Sequence, residues 1–158
     1  MIEAYSDERW RKLIDISLNG VFYSIRAAMR HMRPAKSGSI VVTTSISAVR
    51  PAMAIGAAYM AAKAGAAQAM RGFALEAAAD NIRINAMAPG PFATNINDGA
   101  MQNPENRAKM AKVVPLGHVA KPSDILGAAL LLASDAGSFI TGEQIVIDGG
   151  TSLSAARH

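Results

Sequence analysis

Gly38-Ser39-Ile40-Val41-Val42-Thr43-Thr44-Ser45 is the stretch on which the fold turns. Ser37-Gly38 reads as a turn. The β-branched run Ile40 to Thr44 reads as a short buried strand that ends at a hydroxyl, Ser45. A helix precedes it. Ser6 is placed to cap that helix, and Asp7 and Glu8 suit the positive end of its dipole. Trp10, Ile14, Leu18, Val21, Ile25, Ala28 and Met32 then recur as one apolar stripe that ends before Pro34. A loop with Pro51 and Gly56 follows the strand, and after it an alanine-rich helix runs from about Ala57 to Asp80. Its small residues Ala61, Ala62, Gly65 and Ala69 suit close packing against a sheet or a partner helix.

Further along, Ile82-Arg83-Ile84-Asn85-Ala86-Met87 is a second strand candidate, stopped by Pro89-Gly90-Pro91. The segment from Thr94 to Gly117 is polar and dotted with methionine, with a short helix expected around Pro104 to Lys112. Pro122-Ser123-Asp124 opens another helix, apolar through Ile125, Ala128, Ala129, Leu131 and Leu132. Gln144-Ile145-Val146-Ile147 is the third strand, ending at Asp148-Gly149-Gly150. Strands separated by long helical crossovers imply a parallel sheet with helices on its faces, an α/β protein. No internal repeat and no linker divides the chain.

Composition narrows the chemistry. The 158 residues are 51% apolar and 18% charged, the size and balance of one folded domain rather than a disordered polymer. Cysteine is absent, which excludes a disulfide scaffold, a thiolate metal site and a cysteine nucleophile. The net charge of +4 is spread along the chain with no tight basic run between aromatics, so no nucleic-acid partner is expected. His31, His118 and His158 share no metal-like spacing, and Asp98, Glu105 and Asp124 read as loop and cap residues. The methionines read as core and lid filler. No apolar run approaches the roughly 20 residues of a membrane span, and acids stand where a secretory leader needs a basic start. A cytoplasmic location is the expectation.

Tyr59 and Lys63 are four residues apart in a helix and therefore share one face. A phenol of ordinary pKa near 10 is a poor base at neutral pH, but an ammonium alongside stabilises the phenolate. Such a tyrosine can take a proton from an alcohol or give one to a carbonyl. Ser45 lies fourteen residues before Tyr59 at a strand C-terminus, where open α/β sheets place their ligands. Ser47 follows closely, but Ser45 is preferred because it terminates the strand. The second strand ends in Pro89-Gly90-Pro91-Phe92-Ala93-Thr94, a stretch with few side chains whose backbone can bond a flat amide.

These residues carry a resemblance. The order Gly38-Ser39-Ile40-Val41-Val42 to Ser45, Tyr59-Met60-Ala61-Ala62-Lys63-Ala64, Asn81-Ile82-Arg83-Ile84-Asn85 into Pro89-Gly90, Thr94, Ile140-Thr141-Gly142 and Val146-Ile147-Asp148-Gly149-Gly150 resembles the C-terminal portion of a short-chain dehydrogenase/reductase, from about Trp10 to Gly150. The resemblance implies a partial Rossmann-like parallel sheet of three strands with helices on both faces, residues 1–158 forming a single partial domain. It implies interconversion of an alcohol and a ketone with NAD or NADP, on a small-molecule substrate. Tyr59 would be the general acid/base. Lys63 would assist it and hold the nicotinamide ribose hydroxyls, and Ser45 would orient the substrate oxygen. Pro89, Gly90, Phe92 and Thr94 would bind the nicotinamide carboxamide, and residues 95–114 would form the substrate lid. Asn85 and Asp148 would brace the sheet and turns. The two long helices would form a subunit interface, making a homo-oligomer.

Three departures stand out. The first helix carries Ser17 where the family has an asparagine that seats the lysine and a relay water, and Asn19 falls on another side of the helix. The Ser-to-Tyr spacing is one residue longer than the family's, and the extra residue is placed in the loop Ala48 to Gly56. The Gly-rich strand–turn–helix that receives the pyrophosphate does not occur in these 158 residues. The chain is therefore expected to be a fragment or one piece of a complex, with one side of Ile40 to Thr44 left without a paired strand. The alternative to an oxidoreductase is a truncated, non-catalytic interaction or oligomerisation module.

Overall fold

Ser6 caps the first helix by accepting the Arg9 N–H at 3.2 Å. The computed structural model describes residues 3, 5–51 and 56–153, the side chains of 97 and 98 excepted. His158, the Asp98 side chain, and residues 52–55 of the loop expected to hold the extra Ser-to-Tyr residue lie outside the described residues. The helix expected as one rod is built in three pieces: α1 (Asp7–Ile14), a π-turn over Asp15–Asn19, and α2 (Gly20–Ala35). The π-turn is closed by the Gly20 N–H on Asp15 O, and it accommodates one residue more than an α-helical turn holds. α2 does not end before Pro34 but contains it. A proline in the last turn forfeits a single backbone bond, and the end is closed by Lys36 at φ 52, with the Ser37 N–H on Met32 O at 3.4 Å.

Next come β1 (Gly38–Thr43), α3 (Ala57–Ala78) and β2 (Ile82–Pro89), then the short helices α4 (Ile96–Gly99) and α5 (Pro104–Ala111), α6 (Leu126–Ala133) and β3 (Gln144–Ile147). The sheet order is β1-β2-β3 and both pairings are parallel, with Gly38 opposite Ile82 and Ala86 opposite Gln144. This is the expected three-stranded α/β arrangement.

The two faces of the sheet are told apart by alternation. Ile82, Ile84 and Ala86 of β2 and Val42 of β1 join Ile25 of α2 and Met70, Ala74 and Ala77 of α3 in the core. On the opposite face, the Ser39 hydroxyl and the Arg83 guanidinium both donate to Leu132 O of α6 at 2.8 Å. α3 buries Ala58, Ala62, Ala66, Met70 and Ala74, a strict four-residue repeat. Of the small residues expected to be its contact face, Ala62 is buried and Gly65 abuts the Leu18 side chain, but Ala61 is exposed.

Among the described residues β1 pairs only with β2. Its other side faces an open groove of about 630 Å³, walled by Ile16, Val21, Ala28 and Met32 on the helix side. The unpaired flank expected for Ile40 to Thr44 is thus present.

Candidate active site

β1 delivers its hydroxyl through a short overrun of the ladder. The Thr44 N–H still bonds Met87 O at 2.8 Å, one residue past the strand. Ser45 then turns the chain: its Oγ accepts the Ser47 N–H at 3.1 Å and lies 2.6 Å from Ser47 Oγ, capping a single 3₁₀ turn over Ile46–Ala48. Both serines are buried.

Tyr59 and Lys63 lie in the first two turns of α3, which begins after Gly56 at φ +86. Both are half-buried. Lys63 Nζ donates to Thr43 O at 2.8 Å and lies 5.7 Å from the centroid of the Tyr59 ring, over its face. Burial takes the Lys63 amine away from water and lowers its pKa from the ordinary 10.5. Lys63 thus joins the helix that carries the phenol to the last residue of β1; Ser45, expected to end that strand, lies two residues beyond it because its side chain caps the 3₁₀ turn instead of continuing the ladder.

The β2 exit is extended and pinned on both sides. The Gly90 N–H bonds Ile147 O at 2.9 Å, and a Cβ at Gly90 would lie 2.5 Å from Asp148 Cβ, a space only glycine fits. Phe92 bridges Ala120 in parallel; the Ala93 N–H bonds Ala120 O at 2.8 Å and the Ala120 N–H bonds Pro91 O at 3.0 Å. Thr94 Oγ1 accepts the Ile96 N–H at 3.4 Å. At the β3 exit, the Asp148 carboxylate accepts the N–H groups of Gly150 at 2.9 Å and Ser152 at 2.6 Å. Burial alone would raise that carboxyl; the Ser152 and Gly150 bonds outweigh it and hold it below its ordinary value. Asn85 is fully buried and bridges Ile140 O (2.8 Å) and the Glu143 N–H (3.0 Å). Asn85 and Asp148 therefore brace turns.

Ser17 sits half-buried in the middle of the π-turn, beside Leu18, whose side chain meets Gly65 of α3. The Asn19 amide donates to the Asp15 carboxylate at 2.7 Å and is tied to its own turn. Residues 95–114 hold α4, a 3₁₀ turn over Ala100–Gln102 and α5, the last capped by Asn103. Beyond this segment the Leu116 N–H bonds Gly149 O at 3.1 Å, so its C-terminal root rests on the β3 exit. Two participants carry no mark in the sequence, the Thr43 carbonyl and Arg50, which reaches the residues after Gly150; Ser47, the second hydroxyl weighed beside Ser45, is paired with it. Among the described residues no group of three metal-binding side chains converges, and no helix is long and apolar enough to cross a membrane.

The sequence model of the family described as Enoyl-(Acyl carrier protein) reductase matches residues 1–152. The chain is similar to 3beta-hydroxysteroid dehydrogenase 1 of Eggerthella lenta, 38% identical over 149 residues that make up 94% of this chain and 57% of that one. It is also similar to the 3-oxoacyl-[acyl-carrier-protein] reductase of Chlamydia pneumoniae, 38% identical over 92% of this chain and 57% of that one. Among solved structures, the gluconate 5-dehydrogenase from Burkholderia cenocepacia in complex with NADP and tartrate superposes with a TM-score of 0.90 at 28% identity, over 98% of this chain and 60% of that one. The chain thus spans a little over half the length of the relatives it matches.

Proposed function

The chain belongs to that family, within the short-chain dehydrogenases/reductases, and from this premise we propose that its site interconverts an alcohol and a ketone with NAD or NADP. The observation that carries the reading is the Lys63 ammonium held between the Tyr59 ring and Thr43 O, two residues before Ser45. In the proposal Tyr59 gives its phenolic proton to the carbonyl oxygen in reduction and takes the hydroxyl proton in oxidation. Ser45 orients that oxygen, with Ser47 fixing the direction of its hydroxyl. Lys63 puts a positive charge beside the phenol and bonds the ribose hydroxyls of the dinucleotide. Ser17 holds the water through which the tyrosine regains its proton.

The donor set fits the nicotinamide end of such a cofactor. An amine serves the diol, and the stretch Pro89, Gly90, Phe92 and Thr94 serves the flat carboxamide. Gly90, backed by Asp148, leaves no side chain in its way. When bound, the dinucleotide supplies or accepts the hydride. Residues 95–114 close over the substrate and exclude water. A second copy of the chain packs on the outer side of α2 and α3, where Tyr23 is 53% and Leu75 82% exposed, and the setting is cytoplasmic. A purely non-catalytic role fits less well, because serine, tyrosine and lysine then have no common task.

The test is turnover. The chain is mixed with NADH or NADPH and a panel of ketones that includes a ketosteroid, a keto sugar acid and a 3-oxoacyl thioester, and oxidation of the cofactor is followed. Tyr59→Phe should lower the rate by about 10²–10⁴-fold with an unchanged melting temperature. A wild-type chain that neither binds nor oxidises either cofactor refutes the reading.

A further inference from the structure

Arg50 joins two parts of the molecule that the sheet itself leaves apart. Its Nη1 donates to the carbonyl oxygens of Thr151 and Ser152, each at 3.2 Å. Its own backbone N–H returns to Ile46 O at 2.9 Å, so the guanidinium grows from the turn that Ser45 caps. On the far side, Thr151 and Ser152 belong to the turn built on Asp148. The Thr151 N–H bonds Asp148 O at 3.1 Å, the Thr151 hydroxyl bonds the same oxygen at 2.6 Å, and the Ser152 N–H bonds the carboxylate. Asp148 in turn fills the space behind Gly90.

The strand order makes this bridge informative. β2 lies between β1 and β3, so the exits of the outer strands are two inter-strand spacings apart, about 9–10 Å. No ladder bond links them. A guanidinium on a long stem spans that distance, and one charged donor on two carbonyls holds better than a neutral contact.

We propose that Arg50 is a positioning residue that locks the Ser45 turn to the Asp148–Ser152 turn across the end of β2. The separation between the serine hydroxyls and the Gly90 wall is thereby fixed. The catalytic consequence rests on the alcohol/ketone reading; the mechanical coupling does not.

A double-mutant cycle on the full chain tests it, with amide hydrogen exchange read at Ala48 and Val49, whose N–H groups bond Ser45 O and Ile46 O at 2.9 Å. Asp148→Asn loosens the far turn. With Arg50 present it should speed exchange at Ala48 and Val49 by about 5- to 10-fold, and in an Arg50→Ala background by less than about 2-fold. If Asp148→Asn fails to fold, Thr151→Val, which removes the 2.6 Å bond, completes the same cycle. Equal acceleration in both backgrounds, or none in either, overturns the coupling. In the turnover assay Arg50→Ala should lower kcat by about 10- to 100-fold while the KM for cofactor changes little. Unchanged kcat overturns the catalytic consequence. A wild-type chain without turnover defeats the alcohol/ketone reading alone and leaves the exchange cycle to decide Arg50.

Discussion

Lys63 donates to the carbonyl oxygen of Thr43 at 2.8 Å while its ammonium covers the ring of Tyr59. One side chain therefore links a helix-borne phenol to the end of the strand that leads, two residues on, to Ser45. The acceptor is the carbonyl of the last β1 residue, paired with Met87 of β2, so the amine is located by the sheet.

That amine should leave a signature at alkaline pH. Burial lowers its pKa in the folded chain, and unfolding restores 10.5. Between the two values the unfolded chain binds more protons, so folding stability rises with pH there. The stability of the parent relative to Lys63→Met should climb as pH rises through the folded value and level off above 10.5. Melting temperatures measured across that range check this; a pH-independent difference contradicts it.

Asp80 governs the acid side. Hydrogen bonds from Lys36 first, then from Arg33 Nε at 2.7 Å, hold its carboxyl below the ordinary 3.8 and tie the end of α2 to the end of α3. A carboxyl lowered by folding contributes stability above its unfolded value and loses it as pH falls through its folded value. Asp80→Asn should therefore lower the melting temperature at neutral pH, and the gap to the parent should close on acidification. Both cations are more than half exposed, so added salt should narrow the gap too.

Two glycines should respond with opposite signs. A Cβ at Gly137 would lie 2.3 Å from Leu131 O, a backbone atom that cannot step aside. Gly137→Ala should cost about 1–3 kcal/mol in urea denaturation. Gly72, inside α3, has nothing within 4 Å of an added Cβ. Gly72→Ala should stabilise by about 0.5–1 kcal/mol. Changes of the same sign would contradict the packing described around Gly137.

Asn85→Leu removes the amide that serves Ile140 O and the Glu143 N–H. Among the described residues Ile140 O keeps only its long bond from Arg83 at 3.5 Å, and the half-buried pair of lost bonds should cost about 1–2 kcal/mol. A loss below about 0.5 kcal/mol in total would mean that water replaces the amide.

Much of this was readable from side chains alone. β3 occupies the four residues expected, Gln144 to Ile147, between the turn at Gly142 and the Asp148-Gly149-Gly150 turn. β1 begins two residues before Ile40 and β2 runs two past Met87, since pairing with the neighbouring strand sets those limits, not side-chain branching. Tyr59 and Lys63 share a helix face as their spacing dictates. Their anchor was hidden because a backbone acceptor such as Thr43 O has no identity in a sequence. The same holds for Arg50, whose partners are two carbonyls. The π-turn was hidden too: Asp15-Ile16-Ser17-Leu18-Asn19 contains no glycine or proline to announce it.

That turn acts as a phase corrector. Each residue advances a helix by about 100°, so the surplus one at Asp15–Asn19 sets the azimuth of α1 against α2. Excising a single residue there would straighten the rod and turn α1 as a body, carrying Tyr5 and Trp10, which meet edge-on at 6.4 Å, together around the axis of α2. Length in this segment is a rotational setting, and a one-residue gap would be felt as torsion rather than as a lost contact.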